Sequence, residues 1–494
     1  MKGSTYLIMV FGILVAKALG LVRNSILAST FGASELTDIY SQVFGIATFV
    51  FTGIGTALST LVIKNLNKQK DSGMHAKKRY VSYFLGKISF IVTAVTIVMY
   101  LCTDLIIKMI LPGLDPAFFA DAQKMMYVML PSGLFIIVAY IISGVLQNSK
   151  VFFVTSIMSL PYNVIIIAAL VLKNINIHTI SLITTIGWFL HIVILLPDFY
   201  KKGYRFIYRD GEQKTELTKE RNIEVLYIFI SSMMFQMCFL FDKAALSHDS
   251  GAATTINYAS TFFVTIASIF VVAMSNVSFP LISKSYEKGD KEAVKQVTRQ
   301  LILLLFAIIV PFILVAVIFG GDIISIMYER DKFDSVLTKE TAALFVIYTF
   351  GIFGYICQEL FNKILYLGSR YAWPVISSIV IMLIKPLINL FIVDYGVKAV
   401  ALSTTALFSI YAVAIAIAIT KVTGNYLSKS LGINLIKILF AGALALGAYF
   451  GYNALGIRLI GGRLAFVVPL MICGVVYVGA VVALGLVKVL LPRE

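Results

Sequence analysis

Residues 297–319 read VTRQLILLLFAIIVPFILVAVIF, and after Gln300 the stretch has no charged, amide or hydroxyl side chain. About 20 apolar residues of helix span the hydrocarbon core of a bilayer. The stretch therefore predicts a transmembrane helix. Similar stretches fill most of the chain, at 4–30, 36–63, 80–101, 124–146, 151–172, 177–198, 222–246, 252–282, 341–367, 372–393, 397–420, 434–453 and 463–489. We expect an all-α polytopic membrane protein of about fourteen helices, because no alternating ten-residue strand pattern recurs.

Composition excludes a soluble fold. The 494 residues are 59% hydrophobic and 13% charged, whereas soluble domains average about 45–50% and about 25%. The formal net charge is +16, which would suit nucleic acid or an anionic membrane face. Most Lys and Arg lie between apolar runs, so we interpret the charge as membrane topology and expect no nucleic-acid partner. The four cysteines lack CxxC spacing, which argues against a metal or redox site.

The basic segments also predict orientation. Segments 64–79, 199–221 and 283–299 carry six, seven and five Lys or Arg, and each follows an even-numbered span. By the positive-inside rule both termini should be cytoplasmic. The first apolar stretch has no obvious cleavage site, so we expect a retained helix rather than a signal peptide.

A faint internal repeat divides the chain. GASELTDIYSQ (32–42) resembles GAATTINYAS (251–260), and GVLQNSK (144–150) resembles ILYLGSR (364–370), at offsets of about 220 residues. Two parallel six-helix repeats commonly enclose a central site that alternates between the two membrane faces. We therefore predict an N-terminal lobe (1–198), a basic cytoplasmic linker (199–221), a C-terminal lobe (222–420) and two further helices (421–494).

Ionisable groups at membrane depth are costly, and they usually face a cavity or a partner. The candidates are Lys17, Arg23, Asp38, Asp242, Lys243, Glu359, Lys363 and Lys385. Glu359 and Lys363 have the i, i+4 spacing of a helix ion pair. Asp38 could be a solvated helix start or a partner of Arg23, and Lys243 could extend to the membrane surface. Basic groups in a water-filled cavity suit an anionic substrate, so Arg23, Lys17 and Lys385 point to a transporter.

Several segments resemble the MurJ (MviN) family of lipid II flippases, within the multidrug/oligosaccharidyl-lipid/polysaccharide exporter superfamily. They are KALGLVRNSILASTFGASELTDIY (17–40), GVLQNSKVFFVTSIMSLPYN (144–163), LLPDFYKKGYRF (195–206) and IMYERDKFD (326–334). The resemblance implies a flippase that moves undecaprenyl-pyrophosphate-linked peptidoglycan precursor to the outer leaflet. It implies binding of the substrate headgroup by Arg23 and Lys17, with Asp38, which matches the family's acidic residue, as a further substrate-binding candidate. It also implies a lipid-tail groove formed by the last two helices and a location in the bacterial cytoplasmic membrane.

The chain also departs from the family. Arginines frequent in the second and eighth helices are replaced by FVFTG (49–53) and by Ser260 and Thr261. Some members bind sodium near positions that match Asp242, Asn389 and Thr405. Here Lys385 lies one turn before Asn389, which suggests that its ammonium replaces the ion and pairs with Asp242. The possible sodium site would then be vestigial.

Other functions remain open on sequence alone. A flippase for another polyprenyl-linked oligosaccharide (capsule, O-antigen or teichoic-type units) would share the architecture, and a drug exporter would favour acidic cavity residues. A membrane glycosyltransferase or a structural scaffold fits less well, so we expect no enzyme activity. No GxxxxGK[ST] stretch occurs. We therefore expect that transport is coupled to an ion gradient or to the membrane potential. We also expect that the protein needs no cofactor, has membrane lipids as partners and is a monomer.

Overall fold

Lipid offers no hydrogen-bond partners to backbone N–H and C=O groups. An α-helix pairs these groups within one segment, so long apolar runs in a membrane form helices. The computed structural model describes residues 3–68, 73–172, 175–207, 223–456 and 461–490, and these are almost entirely helical. The helices of the first half are α1 (Gly3–Phe31), α2 (Glu35–Gly45), α3 (Phe51–Lys68), α4 (Met74–Leu101), α5 (Thr103–Ile110), α6 (Phe119–Met129), α7 (Ser132–Asn148), α8 (Phe153–Ser156), α9 (Leu160–Val171) and α10 (Ile177–Lys201).

The second half continues with the same kind of element. Its helices are α11 (Ile223–Ala245), α12 (Ala252–Glu287), α13 (Lys291–Tyr328), α14 (Ser335–Thr349), α15 (Ile352–Ile356), α16 (Asn362–Leu367), α17 (Ala372–Ile392), α18 (Val397–Thr423), α19 (Lys429–Ala454), α20 (Val467–Ala483) and α21 (Val487–Leu490). Two π-helical turns, Ile46–Val50 and Cys357–Phe361, join α2 to α3 and α15 to α16.

The predicted membrane fold is confirmed, with two differences in the spans. Within the described ranges, twelve helical stretches are long and apolar enough to cross a bilayer. α14 and the segment Ile352–Leu367, bent by 55° relative to each other, pass the same test only as a pair, which makes up to thirteen spans. The predicted helix 151–172 is instead broken, because α9 starts with Pro161 in its first turn and covers only Leu160–Val171. Proline suits a helix start, where its missing N–H would be unpaired anyway, whereas inside a helix it removes a hydrogen bond, a cost that α13 tolerates at Pro311.

Glycines lie at the bend in the predicted span 341–367. α14 ends at Thr349, and Gly351 follows. A Cβ atom built on Gly354 would lie 2.2 Å from the backbone oxygen of Phe408, so α15 and α18 approach closely at a position that only glycine allows. Close approach of small residues is a usual means of packing membrane helices.

By internal packing the chain forms two units. The first comprises Met1–Tyr258, Arg330–Phe333 and Asn389–Val393. Its tightest helix pair is α3 with α7, where Gly55 packs on Tyr140 and Gly144 on Ser59. Buried Val62, Leu66 and several Ile and Val side chains of α7 form the core beside it.

The second unit comprises Ala259–Glu329, Asp334–Ile388 and Asp394–Glu494. Its last long helices pack on α13: Gly442 of α19 lies against Val310, and the Tyr477 hydroxyl of α20 donates to the backbone oxygen of Ala307 at 2.8 Å. The predicted four-part division of the chain stays a prediction, and residues 208–221 of its basic linker lie outside the described part.

The predicted repeat is matched by local conformation. Gly32 and Gly251, which begin the two similar segments, have φ angles of 66° and 85°. α7 and α16 end alike: the N–H groups of Lys150 and Val151 donate to Gln147 and Leu146, and those of Ser369 and Arg370 donate to Tyr366 and Leu365. In both helices a non-glycine residue takes a left-handed conformation to complete the cap.

Candidate functional site

Arg23 lies two turns before the end of α1, half-buried in the first unit. Its Nη1 donates to Asn163 Oδ1 at 3.2 Å, and its Nε and Nη2 donate to Asn24 Oδ1 at 3.1 and 2.7 Å. The guanidinium carbon also lies 4.9 Å from the centre of the Tyr162 ring. α1 and α9 thus hold one guanidinium between two amides and one aromatic face.

All of these partners are electrically neutral. Within the described ranges, no Asp or Glu side chain contacts Arg23. Amide oxygens and an aromatic face orient a guanidinium without cancelling its charge. The site therefore presents a positioned cation whose charge an anionic ligand could neutralise.

An aromatic group extends from Arg23 towards α10. The Tyr162 and Trp188 rings lie 5.0 Å apart, and Trp188 stacks on His191 at 4.5 Å. Gly187 admits the Tyr162 ring, since a Cβ atom there would lie 2.6 Å from Tyr162 Cδ2. Among the described residues, the buried Tyr162 hydroxyl and Trp188 Nε1 have no hydrogen-bond partner. These two donors beside a cation add capacity for an oxygen-rich ligand.

Lys17 lies on the same helix, six residues before Arg23, and is half-buried. At 100° per residue the two side chains point to different sides of α1. Its predicted role in binding an anion stays a prediction.

Asp38 is neither a solvated helix start nor the partner of Arg23, and both of those predictions are wrong. Its side chain is 4% exposed. Oδ2 accepts the N–H of Gly251 and Oδ1 accepts the N–H of Thr254, both at 2.6 Å. The carboxylate thus caps the first turn of α12, where unpaired N–H groups and the helix dipole favour a negative charge.

Further contacts cluster around this cap. The backbone N–H of Lys332 donates to Ser29 O at 3.2 Å, and Tyr258 contacts Phe333 edge-on with ring centres 5.7 Å apart. Segment Arg330–Phe333 therefore packs against the end of α1 within the first unit. By the predicted orientation this is the outer end. Both oxygens of Asp38 serve the cap here, so its predicted contact with substrate stays a prediction.

Lys243 does not extend to the membrane surface, as one interpretation of the sequence suggested. It is 1% exposed, and its Nζ donates to the backbone oxygen of Ser41 at 3.0 Å. The contact joins α11 to α2 one turn from Asp38, whose carboxylate acts electrostatically on the ammonium. The ammonium can be buried because the Ser41 carbonyl accepts its hydrogen bond and the Asp38 carboxylate lies nearby, which replaces part of its hydration.

The residues of the predicted vestigial sodium site make hydrogen bonds within the protein, and the site stays a prediction. Asp242 is fully buried, and its Oδ1 accepts the Asn389 amide N–H at 3.1 Å, so a hydrogen-bond donor faces the carboxylate. The Thr405 hydroxyl donates to Ile347 O at 3.0 Å. A sodium site needs converging oxygens. Across the described residues, no three His, Cys, Asp or Glu side chains come together.

Lys385 is fully buried in the second unit. Its Nζ donates to Ser403 Oγ at 2.6 Å and to Val400 O at 3.2 Å, both in α18. Its predicted roles, as a substrate ligand and as the partner of Asp242, stay predictions. Glu359 and Lys363 are both half-buried, and Glu359 lies in the π-helical turn Cys357–Phe361. Because a π turn alters the i, i+4 alignment, their pairing also stays a prediction.

The sequence identified Arg23 but not what holds it. Neither Asn163 nor Tyr162 stands out in the sequence, since polar residues in membrane helices commonly serve helix packing. The two are neighbours in sequence beside Pro161, yet Arg23 is 140 residues away from Asn163. No spacing pattern could have found the pair, because the contact is made only when α1 packs on α9.

The chain is similar to known proteins over most of its length. A family model described as "Lipid II flippase MurJ" matches residues 27–470. A "Probable lipid II flippase MurJ" of Rickettsia prowazekii is 23% identical over 401 residues, covering 78% of each chain. A "Lipid II flippase MurJ" of Burkholderia cenocepacia is 22% identical over 393 residues, covering 76% of this chain and 75% of its own.

Solved structures show the same fold. "Lipid II flippase MurJ, inward closed conformation" superposes with a TM-score of 0.75 at 21% identity, covering 96% of this chain and 98% of its own. An "Inward-facing conformation of a multidrug resistance MATE family transporter of the MOP superfamily" gives 0.65 at 12% identity, covering 84% and 99%.

The fold and a membrane-embedded, neutrally held cation define a multi-pass membrane transporter. The family match extends over most of the sequence. The chain belongs to the lipid II flippase MurJ family, which makes it a transporter rather than an enzyme.

Proposed function

We propose that the protein translocates lipid II, the polyprenyl-pyrophosphate-linked peptidoglycan precursor, from the inner to the outer leaflet by alternating access. The observation that carries the proposal is Arg23: a half-buried guanidinium held by Asn24, Asn163 and Tyr162, all neutral. A diphosphate is a dianion or more with oxygens that match a guanidinium fork. Arg23 would bind that diphosphate, with Lys17 as a second positive charge on the same helix.

The neutral partners would serve a release step. If Arg23 were paired with a carboxylate, an incoming phosphate would have to displace an ion pair. In this protein the phosphate would displace only amide oxygens, which lie 2.7–3.2 Å from the guanidinium nitrogens. The amides can bind the guanidinium again when the substrate leaves. Exchange between a charged and a neutral partner lets binding be favourable without being irreversible.

Asp38 would hold the outer end closed while the headgroup binds. Its two hydrogen bonds to the first turn of α12 tie the start of α2 to the start of α12. Lys243 of α11 donates to the backbone oxygen of Ser41, which joins α11 to α2 as well. Outward opening would require these contacts to separate, so we assign Asp38 to gating and, secondarily, to the substrate.

The energy source would be a gradient, the membrane potential or consumption of lipid II outside. A potential acts on moved charge at about 2.3 kcal/mol per charge per 100 mV. An inside-negative potential favours outward movement of an anionic headgroup. We further propose a monomer in a bacterial cytoplasmic membrane, with both termini cytoplasmic.

Complementation tests the proposal. The chain is expressed in a bacterium depleted of its own lipid II flippase, with membrane insertion checked by fractionation. We expect restored growth with the wild type and none with Arg23→Ala. A correctly inserted wild-type chain that fails to restore growth would overturn lipid II as cargo and favour another polyprenyl-linked oligosaccharide, given the absent arginines at 49–53 and 260–261.

A further inference from the structure

The segment Arg330–Phe333, here termed the outer strap, links the end of α13 to the start of α14. It packs in the first unit, whereas Glu329 before it and Asp334 after it belong to the second. The chain thus leaves the second unit for this short segment and then returns. The strap is a covalent tie between the two units. Any movement of α13 or α14 away from α1 must therefore pull on the strap or release it.

The strap lies along one face of the last turns of α1. Arg330 Nη1 donates to Ser25 Oγ at 3.4 Å, and the backbone N–H of Lys332 donates to the Ser29 oxygen at 3.2 Å. Residues four apart share a helix face, so both contacts are made on the same side of α1. At the helix end, a Cβ atom built on Gly32 would lie 2.9 Å from the Lys332 oxygen, a distance that only glycine allows.

Phe333 anchors the strap. Its side chain is 1% exposed, although Asp331 and Lys332 beside it are exposed. The ring meets Tyr258 of α12 edge-on, with ring centres 5.7 Å apart. A tight turn orients the ring, because the N–H of Phe333 donates to the Arg330 oxygen at 2.8 Å and Asp331 takes a φ angle of 47°, in the left-handed region. A buried aromatic ring thus docks an otherwise exposed segment.

The strap holds α1 from the side opposite Arg23. Arg23 lies two residues before Ser25, which is about 200° away around the helix. Its contacts with Asn163 and Tyr162 face α9. The outer end of α1 is thus fixed between α9 on one side and the strap on the other. Docking of the strap therefore determines whether the part of the helix that carries Arg23 can move.

We propose that the outer strap is a clasp in the transport cycle. It holds the end of α1, and with it Arg23, while the headgroup binds, and it leaves α1 when the outer side opens. This inference rests on the proposed function, since it names the segment that controls the same site. By the predicted orientation, α1 ends at the outer face, where α13 ends and α14 begins. Local opening of a short exposed segment costs far less than global unfolding, so the strap can undock in each cycle.

A reversible covalent bridge tests the clasp. Ser29→Cys and Lys332→Cys are combined in a full chain whose four native cysteines are replaced by alanine. The N–H···O contact of 3.2 Å places the two Cα atoms within about 7 Å, the upper limit for a disulfide. A short bis-methanethiosulfonate reagent closes the bridge, and a reductant opens it. The bridged protein is assayed for lipid II binding and, in proteoliposomes, for lipid II transport.

We expect the bridged protein to bind lipid II within about threefold of the reduced protein but to transport it at least about tenfold more slowly, because one conformation is locked. The reductant should restore transport. Each single cysteine variant, treated with the same reagent, is the matched control and should keep its transport. Full transport by the bridged protein would show that the strap is only a structural contact and would overturn the proposal. Failure of the bridge to form would do so too, because the docked contact would then be absent.

A second measurement does not use lipid II. Phe333→Ala should raise the amide hydrogen-exchange rate of the strap at least about tenfold, because its protection depends on the buried ring. Phe333→Leu keeps most of the apolar surface and should change the rate less than about threefold. Equal exchange in Phe333→Ala and the wild type would contradict the anchor. A wild type that neither binds nor transports lipid II would refute the proposed function and leave the exchange result intact, whereas undiminished transport by the bridged protein would refute only the clasp.

Discussion

Replacing Arg23 by Gln removes the positive charge but keeps a polar side chain between Asn24 and Asn163. A hydrogen bond to a charged group contributes about 1.5–3 kcal/mol. A fork to two phosphate oxygens makes two such bonds, and Arg23 is only half-buried, so the lower end applies. The loss is about 3 kcal/mol, which corresponds to about 100-fold in the Kd for lipid II.

Arg23→Lys separates charge from geometry. A lysine keeps the charge but not the planar fork, and it cannot make the three N–H contacts to two amide oxygens that Arg23 makes. We therefore expect about a tenfold loss for lysine, between wild type and glutamine. Binding is measured with purified protein and lipid II, and transport with proteoliposomes.

Two measurements make the result interpretable. Thermal unfolding of each variant reports whether α1 and α9 still pack. Arg370→Gln is the matched control, because Arg370 is exposed beyond the end of α16. If Arg23→Gln folds normally and binds lipid II as tightly as wild type, the guanidinium does not hold the diphosphate and the argument from its neutral partners is refuted.

Two further predictions concern the other buried charges. Asp38→Ala leaves the N–H groups of Gly251 and Thr254 buried without a partner, which should lower the free energy of unfolding by about 2–4 kcal/mol. Asp290→Ala, which removes one exposed cap bond, should cost clearly less, and equal losses in denaturant unfolding would contradict the gate argument. Lys385→Ala should reduce transport or make it sodium-dependent, unlike Lys398→Ala at an exposed site. Full, sodium-independent transport by Lys385→Ala would end the idea that its ammonium replaces an ion.

Local sequence predicted most of the fold because membrane helices are specified locally. Each span needs only enough apolar length, and the run at 297–319 became part of α13. The breaks were harder. Proline alone does not locate them, since Pro161 lies in the first turn of α9 whereas Pro311 and Pro386 lie inside α13 and α17. Gly351 and Gly354 at the bend are visible in the sequence, but Phe408 of α18, against which both lie, is far along the chain and no local pattern connects them.

The site divides in the same way. Burial cost identifies a charge at membrane depth as unusual, so Arg23, Asp38 and Lys385 could be selected from sequence alone. The burial cost does not say which partner stabilises each charged side chain. Asp38 could equally have faced water or Arg23, and Lys243 could have reached the surface. The choice depends on which helix end or carbonyl comes within 3 Å, and only packing decides that.

The solutions that the protein adopts separate structural charges from functional ones. Asp38 and Lys243 are buried and bound to backbone groups, so removing a backbone partner means moving a helix. Arg23 is half-buried and bound to side-chain amides, which can turn away without moving any helix. A ligand can therefore compete for Arg23 at low cost, whereas competing for Asp38 requires α2 and α12 to part. One charge is suited to binding cargo and the other to registering a conformational change, which is the division of labour that alternating access requires.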